Sequence, residues 1–198
     1  SEVTTRMFPN EANGQFKTPL IDQNLKIVVV DLARAGTEPT MICFKTAHYL
    51  FQAKNIRQDH IYINRTTGDS GEVTGAHVSG YKIGGDINNA LVFFPDPMGA
   101  TGGSIKRVHD YYQNKVEGTP VDMIALHLVI TPEYIKRIQK ECPNLKVFAL
   151  RLDRGLSSKK ALASVPGEFL EEEQGLNQFD YIVPGLGGVG EILNNSYC

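Results

Sequence analysis

The stretch ALVFFPDPMGATGGSIKRVHDYYQNK, residues 90–115, decides how this chain folds. Leu91, Val92, Phe93 and Phe94 form an apolar run with the character of a buried strand, closed by Pro95-Asp96-Pro97. Thr101-Gly102-Gly103-Ser104 then makes a glycine-rich bend, and a helical pattern begins at Ile105. A buried strand that runs through a short loop into a helix is the repeating unit of a parallel α/β sheet. In such sheets ligands gather at the carboxyl ends of the strands. The bend is therefore either a plain turn or a cradle for a phosphate, with Gly102 and Gly103 turning backbone N–H groups inward at the start of the helix. Thr101 and Ser104 would add hydroxyl donors. Asp96 cannot hold a phosphate directly, because like charges repel; it suits ribose hydroxyls or a divalent cation. An acid beside a phosphate cradle points to a sugar phosphate.

The rest of the chain repeats the unit. KIVVVDL (26–32), HIYIN (60–64), DMIALHLVI (122–130) and KVFALRL (146–152) read as further strands. PTMICFKTAHYLFQAKN (39–55) and TPEYIKRIQKEC (131–142) read as helices, the second with a Thr N-cap and Pro at its first helical position. Strands apolar throughout, alternating with helices, predict one α/β domain over residues 1–198: a central, mostly parallel sheet flanked by helices and covered on both faces. Two segments break the rhythm. Residues 65–89 are polar and glycine-rich and suit an exposed hairpin or flexible flap. Residues 156–177 carry a basic pair and an acidic triplet without a core face, and read as a solvated surface insertion.

With 198 residues the chain can bury a real core. A net charge of −2 gives no electrostatic case for nucleic-acid binding, and no run approaches a membrane span, so neither nucleic acid nor membrane is an expected partner. Cys43, Cys142 and Cys198 are widely spaced and suggest neither a disulfide framework nor a zinc site; a reducing cytoplasm is the expected compartment. Cys43 lies in an apolar helical pattern and reads as core packing, and His127, inside an apolar strand, as a satisfied core residue. The histidines show no metal spacing, so no protein-ligated metal site is expected. Ser1 is not an initiator methionine, which suits a processed product or a fragment.

Two more glycine-bearing strand ends accompany the first. LARAG (32–36) places Arg34 at the sheet edge, either as a clamp for a second anionic group or as a surface ion-pairing residue. DYIVPGLGGVG (180–190) follows an apolar run with glycines at 185, 187, 188 and 190, which suit either close approach to a flat ligand or a plain turn.

Taken in order, these segments resemble the uracil phosphoribosyltransferase family. The family's phosphoribosyl-diphosphate (PRPP) motif D-P-M-x-A-T-G-G-S is matched at every fixed position by Asp96-Pro97-Met98-Gly99-Ala100-Thr101-Gly102-Gly103-Ser104. Ala33-Arg34-Ala35-Gly36 is similar to its L-R-A-G loop, HLVITPE (127–133) to its strand ending in P-E, and LDRGL (152–156) to its I-D-x-G-L. Tyr181-Ile182-Val183-Pro184-Gly185-Leu186-Gly187 is similar to the start of its uracil-recognition segment, Y-I-x-P-G-L-G-D-x-G-D. The order holds from about residue 26 to 193.

The resemblance implies a type I phosphoribosyltransferase fold and the reaction of uracil with PRPP to give UMP and diphosphate, with Mg2+ bound alongside PRPP, as in pyrimidine salvage. It implies Asp96 and Arg34 as catalytic residues. Arg34, Arg65 and residues Asp96, Pro97, Met98, Gly99, Ala100, Thr101, Gly102, Gly103 and Ser104 would bind PRPP, and Ile182, Gly187, Gly188 and Val189 uracil. A homodimer is the implied assembly. The chain departs from the family in three places. Gly188 stands where the family has an aspartate that assists PRPP, and its second aspartate is Glu191; no neighbour is an obvious substitute for the first. Residues 156–177 lengthen the link to the uracil segment, and little chain precedes LARAG. The competing expectation is a catalytically impaired PRPP- or nucleotide-binding homologue acting as a regulatory or interaction domain.

Overall fold

A computed structural model describes residues 2–4, 10, 15–17, 22, 24–67 and 73–195, without the side chains before residue 22 other than Asn10 or those of 64–76. Among these residues nine strands and five helices follow one another. A short antiparallel pair, β1 (Glu2–Thr4) and β2 (Gln15–Lys17), precedes the main sheet. The sheet begins with β3 (Lys26–Ala33), which leads through α1 (Thr37–Leu50) to β4 (Ile56–Thr67). β5 (Val73–Lys82) returns antiparallel along β4. β6 (Ala90–Pro95) and the two-residue β7 (Met98–Gly99) feed α2 (Gly103–Lys115). β8 (Asp122–Ile130), α3 (Pro132–Glu141) and β9 (Leu145–Leu152) follow. Two short helices, α4 (Lys159–Leu162) and α5 (Val189–Asn194), close the described chain.

The sheet order is β5-β4-β3-β6-β8-β9, with β7 pairing on β8 beyond the end of β6. Every pairing among β3, β4, β6, β7, β8 and β9 is parallel. The chain moves from β3 outward to β4, then crosses to the other side of β3 to lay down β6. The crevice between the ends of β3 and β6 is thus the point where strand order reverses, the place at which α/β sheets bind ligands.

Alternation along β3 divides the core in two. Val28, Val30 and Leu32 face the larger cluster, with Phe94, Ile105, Val108, Tyr112, Tyr134 and Ile138 from β6, α2 and α3. Ile27 and Val29 face the smaller one with Ala47 of α1, against which Cys43 and Phe44 pack. Burial raises the Cys43 thiol pKa, in keeping with a packing role. The expectation of a sheet covered on both faces holds for β3 but not for β9, where Phe148 and Leu150 are 60% and 83% exposed.

The β4 strand starts four residues before the apolar run HIYIN because its polar residues are paired internally. Buried Asp59 accepts from Arg57 Nε (3.1 Å), Gly84 N (2.9 Å) and Tyr112 Oη (2.8 Å), which replaces the solvation it loses. The helix read over 39–55 ends at Leu50, where Phe51 turns extended, and only a single 3-10 turn follows over Ala53–Asn55.

Gly36 lies where the two halves of the sheet meet. A Cβ there would stand 2.7 Å from the Leu32 carbonyl oxygen and 2.9 Å from that of Pro95, so only glycine lets the end of β3 close against the end of β6. Gly36→Ala is expected to lower unfolding stability by about 1–3 kcal/mol through overpacking, read from the urea midpoint at an unchanged slope.

Candidate active site

Three loops meet at the reversal point. The first, Arg34-Ala35-Gly36, follows a cis peptide bond between Ala33 and Arg34 and turns into α1 through hydrogen bonds from Gly36 N to Leu32 O (3.0 Å) and Thr37 N to Arg34 O (3.1 Å). Buried Asp31 fixes its flank, accepting from Thr37 Oγ1 (3.0 Å) and bonding His60 Nδ1 (3.0 Å). The second runs from Asp96 to Ser104 and touches the first through Pro95 and Gly36. The third runs from Tyr181 to Gly190; a Cβ on Gly190 would lie 3.6 Å from the Cβ of Ala35, so the start of α5 packs on the first loop.

The second loop is held from below. Asp96 N donates to Leu126 O (2.9 Å), Leu128 N and Val129 N donate to Pro97 O, and Thr131 Oγ1 donates to Ala100 O (2.6 Å). His127, 5% exposed, completes the support. Its Nδ1 lies 2.6 Å from the Asp96 carbonyl oxygen, which can only accept, so Nδ1 carries the proton. Its Nε2 therefore accepts from Tyr134 Oη at 2.7 Å. Burial pushes the imidazole pKa down to about 4 against the opposing pull of the Asp96 carbonyl, and burial raises that of Tyr134. Both are neutral packing groups near pH 7.

Gly102 caps α2 in the left-handed region, with φ 76°, where a side chain would be strained. That conformation turns the chain into the 13-residue helix so that the first-turn N–H groups open onto the loop. Gly103 N donates only a long bond, 3.3 Å, to Thr101 Oγ1. Arg137, on α3, reaches the loop and donates from Nη1 to Thr101 O (3.3 Å). It brings a positive charge beside the helix start, partly balanced by Glu141. A helix N-terminus and a nearby guanidinium together favour an anion.

The third loop is half-exposed. Ile182 and Val189 are half-buried, whereas Gly187 and Gly188 are exposed. Glu191 folds back from the first turn of α5, and its Oε2 lies 2.7 Å from where a Cβ on Gly188 would be. A carboxylate thus lies beside position 188, supplied from three residues further on. Arg65 lies on β4 opposite Ala76, and its side chain is outside the described residues.

Sequence reading singled out neither Arg137 nor the placement of Glu191. Both act across turns or between elements, and nothing in their helical spacing distinguishes them from surface charges. Another grouping hidden by spacing is His109, Asp110 and Cys142, whose potential ligand atoms lie within 4.8 Å of one another; Asp110 is already paired with Lys106.

The family described as uracil phosphoribosyltransferase matches residues 3–170. The chain belongs to the uracil phosphoribosyltransferase family. It is 34% identical over 100 residues to the uracil phosphoribosyltransferase of Thermococcus sibiricus, covering 50% of this chain and 34% of that one. It is 31% identical over 113 residues to that of Lactococcus lactis, covering 57% of this chain and 43% of the relative. The matched part is therefore under half the length of these curated relatives. Among solved structures, the AQ2163 protein of Aquifex aeolicus has the same fold, with a TM-score of 0.63 and 22% identity over 98% of this chain and 73% of its own. The fold is of the type I phosphoribosyltransferase kind: a central sheet flanked by helices.

The His127 pKa has a consequence for acid stability. Its folded value near 4 lies below the ordinary 6.5, so the unfolded chain binds the proton more tightly and stability falls as pH drops from about 6.5 to 4. The contribution is about 3 kcal/mol. His127→Gln is expected to flatten that part of the stability curve, measured by denaturant titration at several pH values; His109, also held low by burial, retains its share.

Proposed function

We propose that this chain is a uracil phosphoribosyltransferase that joins uracil to PRPP, releasing diphosphate and UMP. The observation that carries the reading is the convergence of the three family motifs at one reversal point, through Gly36 on Pro95 and Gly190 on Ala35. In this reading the amides and hydroxyls of residues 100–104 and the start of α2 hold the 5′-phosphate. Asp96 accepts the ribose hydroxyls, assisted in positioning by Pro97, Met98 and Gly99. Arg34 and Arg65 hold the diphosphate. Backbone groups at Ile182, Gly187, Gly188 and Val189 read the edge of uracil, which rejects bases with another donor pattern.

The ring nitrogen gives up its proton, to water or to the departing diphosphate, and forms the new bond to the anomeric carbon as the bond to diphosphate breaks; the electron pair of that broken bond leaves with the diphosphate. No protein nucleophile is required. The chain aligns two substrates and stabilises the departing charge, the terms expected to dominate. The carboxylates of Asp96 and Glu191 are hard oxygen donors of the kind Mg2+ takes together with substrate phosphates, so the residues present fit the ion. When bound, Mg2+ neutralises charge on the diphosphate. Glu191 then stands in for the aspartate that the family carries at position 188.

A cytoplasmic setting and a homodimer belong to the same reading. Among the described residues no helix is long and apolar enough to cross a membrane. Exposed Phe148 and Leu150 on β9 offer apolar surface for a second copy.

The test is incubation with uracil, PRPP and Mg2+, with UMP and diphosphate as expected products; PRPP binding without UMP would leave only a binding homologue. Asp96→Asn is expected to lower kcat/KM for PRPP by roughly 10- to 100-fold, the worth of hydrogen bonds to a charged acceptor. Gly188→Asp alone is expected not to raise turnover, because Glu191 fills the space. Combined with Glu191→Ala it recovers more activity than Glu191→Ala alone.

A further inference from the structure

The excursion read as a solvated insertion is fastened from within. Arg154 and Glu173 form an ion pair at 2.7 Å with side chains 8% and 0% exposed. Arg154 also donates to Ala161 O and Ser164 O, both at 2.6 Å, and the Glu173 carboxylate accepts from Gly167 N (3.1 and 3.2 Å). The third member of the acidic triplet is thus the anchor of the segment rather than part of a solvated face. A buried pair with its remaining valences satisfied holds its surroundings in one arrangement, and removing one partner leaves the other charge uncompensated.

Both ends of the excursion grip the third loop. At one end Gly155 N donates to Val183 O (2.8 Å), and neighbouring Asp153 accepts from Gly185 N at 2.9 Å while pairing with Arg151. At the other end Val183 N donates to Gly175 O (2.8 Å), and Leu176 bridges Ile182. The Glu133 carboxylate accepts from Gly175 N (3.0 Å) and Leu176 N (3.3 Å), tying that end to the first turn of α3. Val183 is therefore held on its carbonyl by residue 155 and on its amide by residue 175. The Arg154–Glu173 pair joins the chain leaving the first grip to the chain entering the second.

We propose that residues 153–176 form a clamp that sets the base-reading loop, with Glu173 and Asp153 as positioning residues governing use of the base but not of PRPP. The inference rests on the proposed function, in which Ile182 and residues 187–189 meet uracil. The PRPP half is supported instead by β8 and α3 at residues 96–104, through Leu126, Thr131 and Arg137, by the turn into α1 at Arg34, and by the packing of α5 on Ala35 at Glu191. A loosened clamp should leave that half in place.

Two measurements on the full chain test this. Glu173→Gln and Asp153→Asn are expected to raise KM for uracil about tenfold and to change KM for PRPP by less than about twofold. Equal rises in both constants, or no rise for uracil, would overturn the proposal. The second measurement, native-state hydrogen exchange, needs no turnover. Val183 and Gly185 amides are expected to exchange about tenfold faster in folded Glu173→Gln, with Asp96 and Thr131 amides unchanged. Unchanged exchange at Val183 and Gly185 would overturn the clamp even in an active enzyme. Faster exchange there in a chain that makes no UMP would sustain the clamp and sink the proposed function. Should Glu173→Gln not fold, Asp153→Asn, which leaves the buried pair intact, decides by the same readout at Gly185.

Discussion

The ends of β3 and β6 come together over a single hydrogen atom. Gly36 lies between the Leu32 and Pro95 carbonyls at distances that exclude a Cβ, and the rest of the site follows from that contact. Because β3 and β6 are parallel and paired, their carboxyl ends point the same way. Because Gly36 lets them close, the loops that carry Arg34 and Asp96 leave neighbouring strands at the reversal of strand order. The start of α5 then packs against Ala35 and brings the third loop to the same crevice. Three segments separated by some 60 and 80 residues thereby form one surface.

Support beneath the crevice is polar but paired. Asp31, Asp59, Asp153, Arg154, Glu173 and His127 are all buried, and each has a hydrogen-bonding partner. Unpaired, such groups would cost far more than packing gains. Paired, they fix loops that apolar packing alone would leave loose. The division of labour is clear in space. His127, Tyr134, Thr131 and Arg137 brace the glycine-rich loop, whereas Asp153, Glu133 and the Arg154–Glu173 pair brace the loop that follows Tyr181.

Most of the sheet was legible because its strands are apolar on both faces. Residues 26–32, 90–96, 122–130 and 146–152 were read to within a residue or so of the observed strands. The glycine-rich loop was legible because Gly102 and Gly103 stand where a helix begins, and Gly102 does take the left-handed turn. What stayed hidden was polar and non-local. The β4 strand was shortened in reading because Arg57 and Asp59 look like loop residues until Gly84 and Tyr112 are beside them. The triplet at 171–173 looked solvated because burial of Glu173 depends on Arg154, nineteen positions earlier. Glu191 was legible as a residue but not in its placement, since its reach over Gly188 depends on the turn into α5.

The central claim is that the loops at 34–36, 96–104 and 181–190 form one substrate crevice. A crystal structure grown with PRPP and Mg2+ tests it most directly. The account predicts the 5′-phosphate on the backbone N–H groups of residues 101–104, with the ribose hydroxyls at Asp96 and the diphosphate toward Arg34. A phosphate bound elsewhere on the chain, with the amides of 101–104 facing solvent, would contradict it.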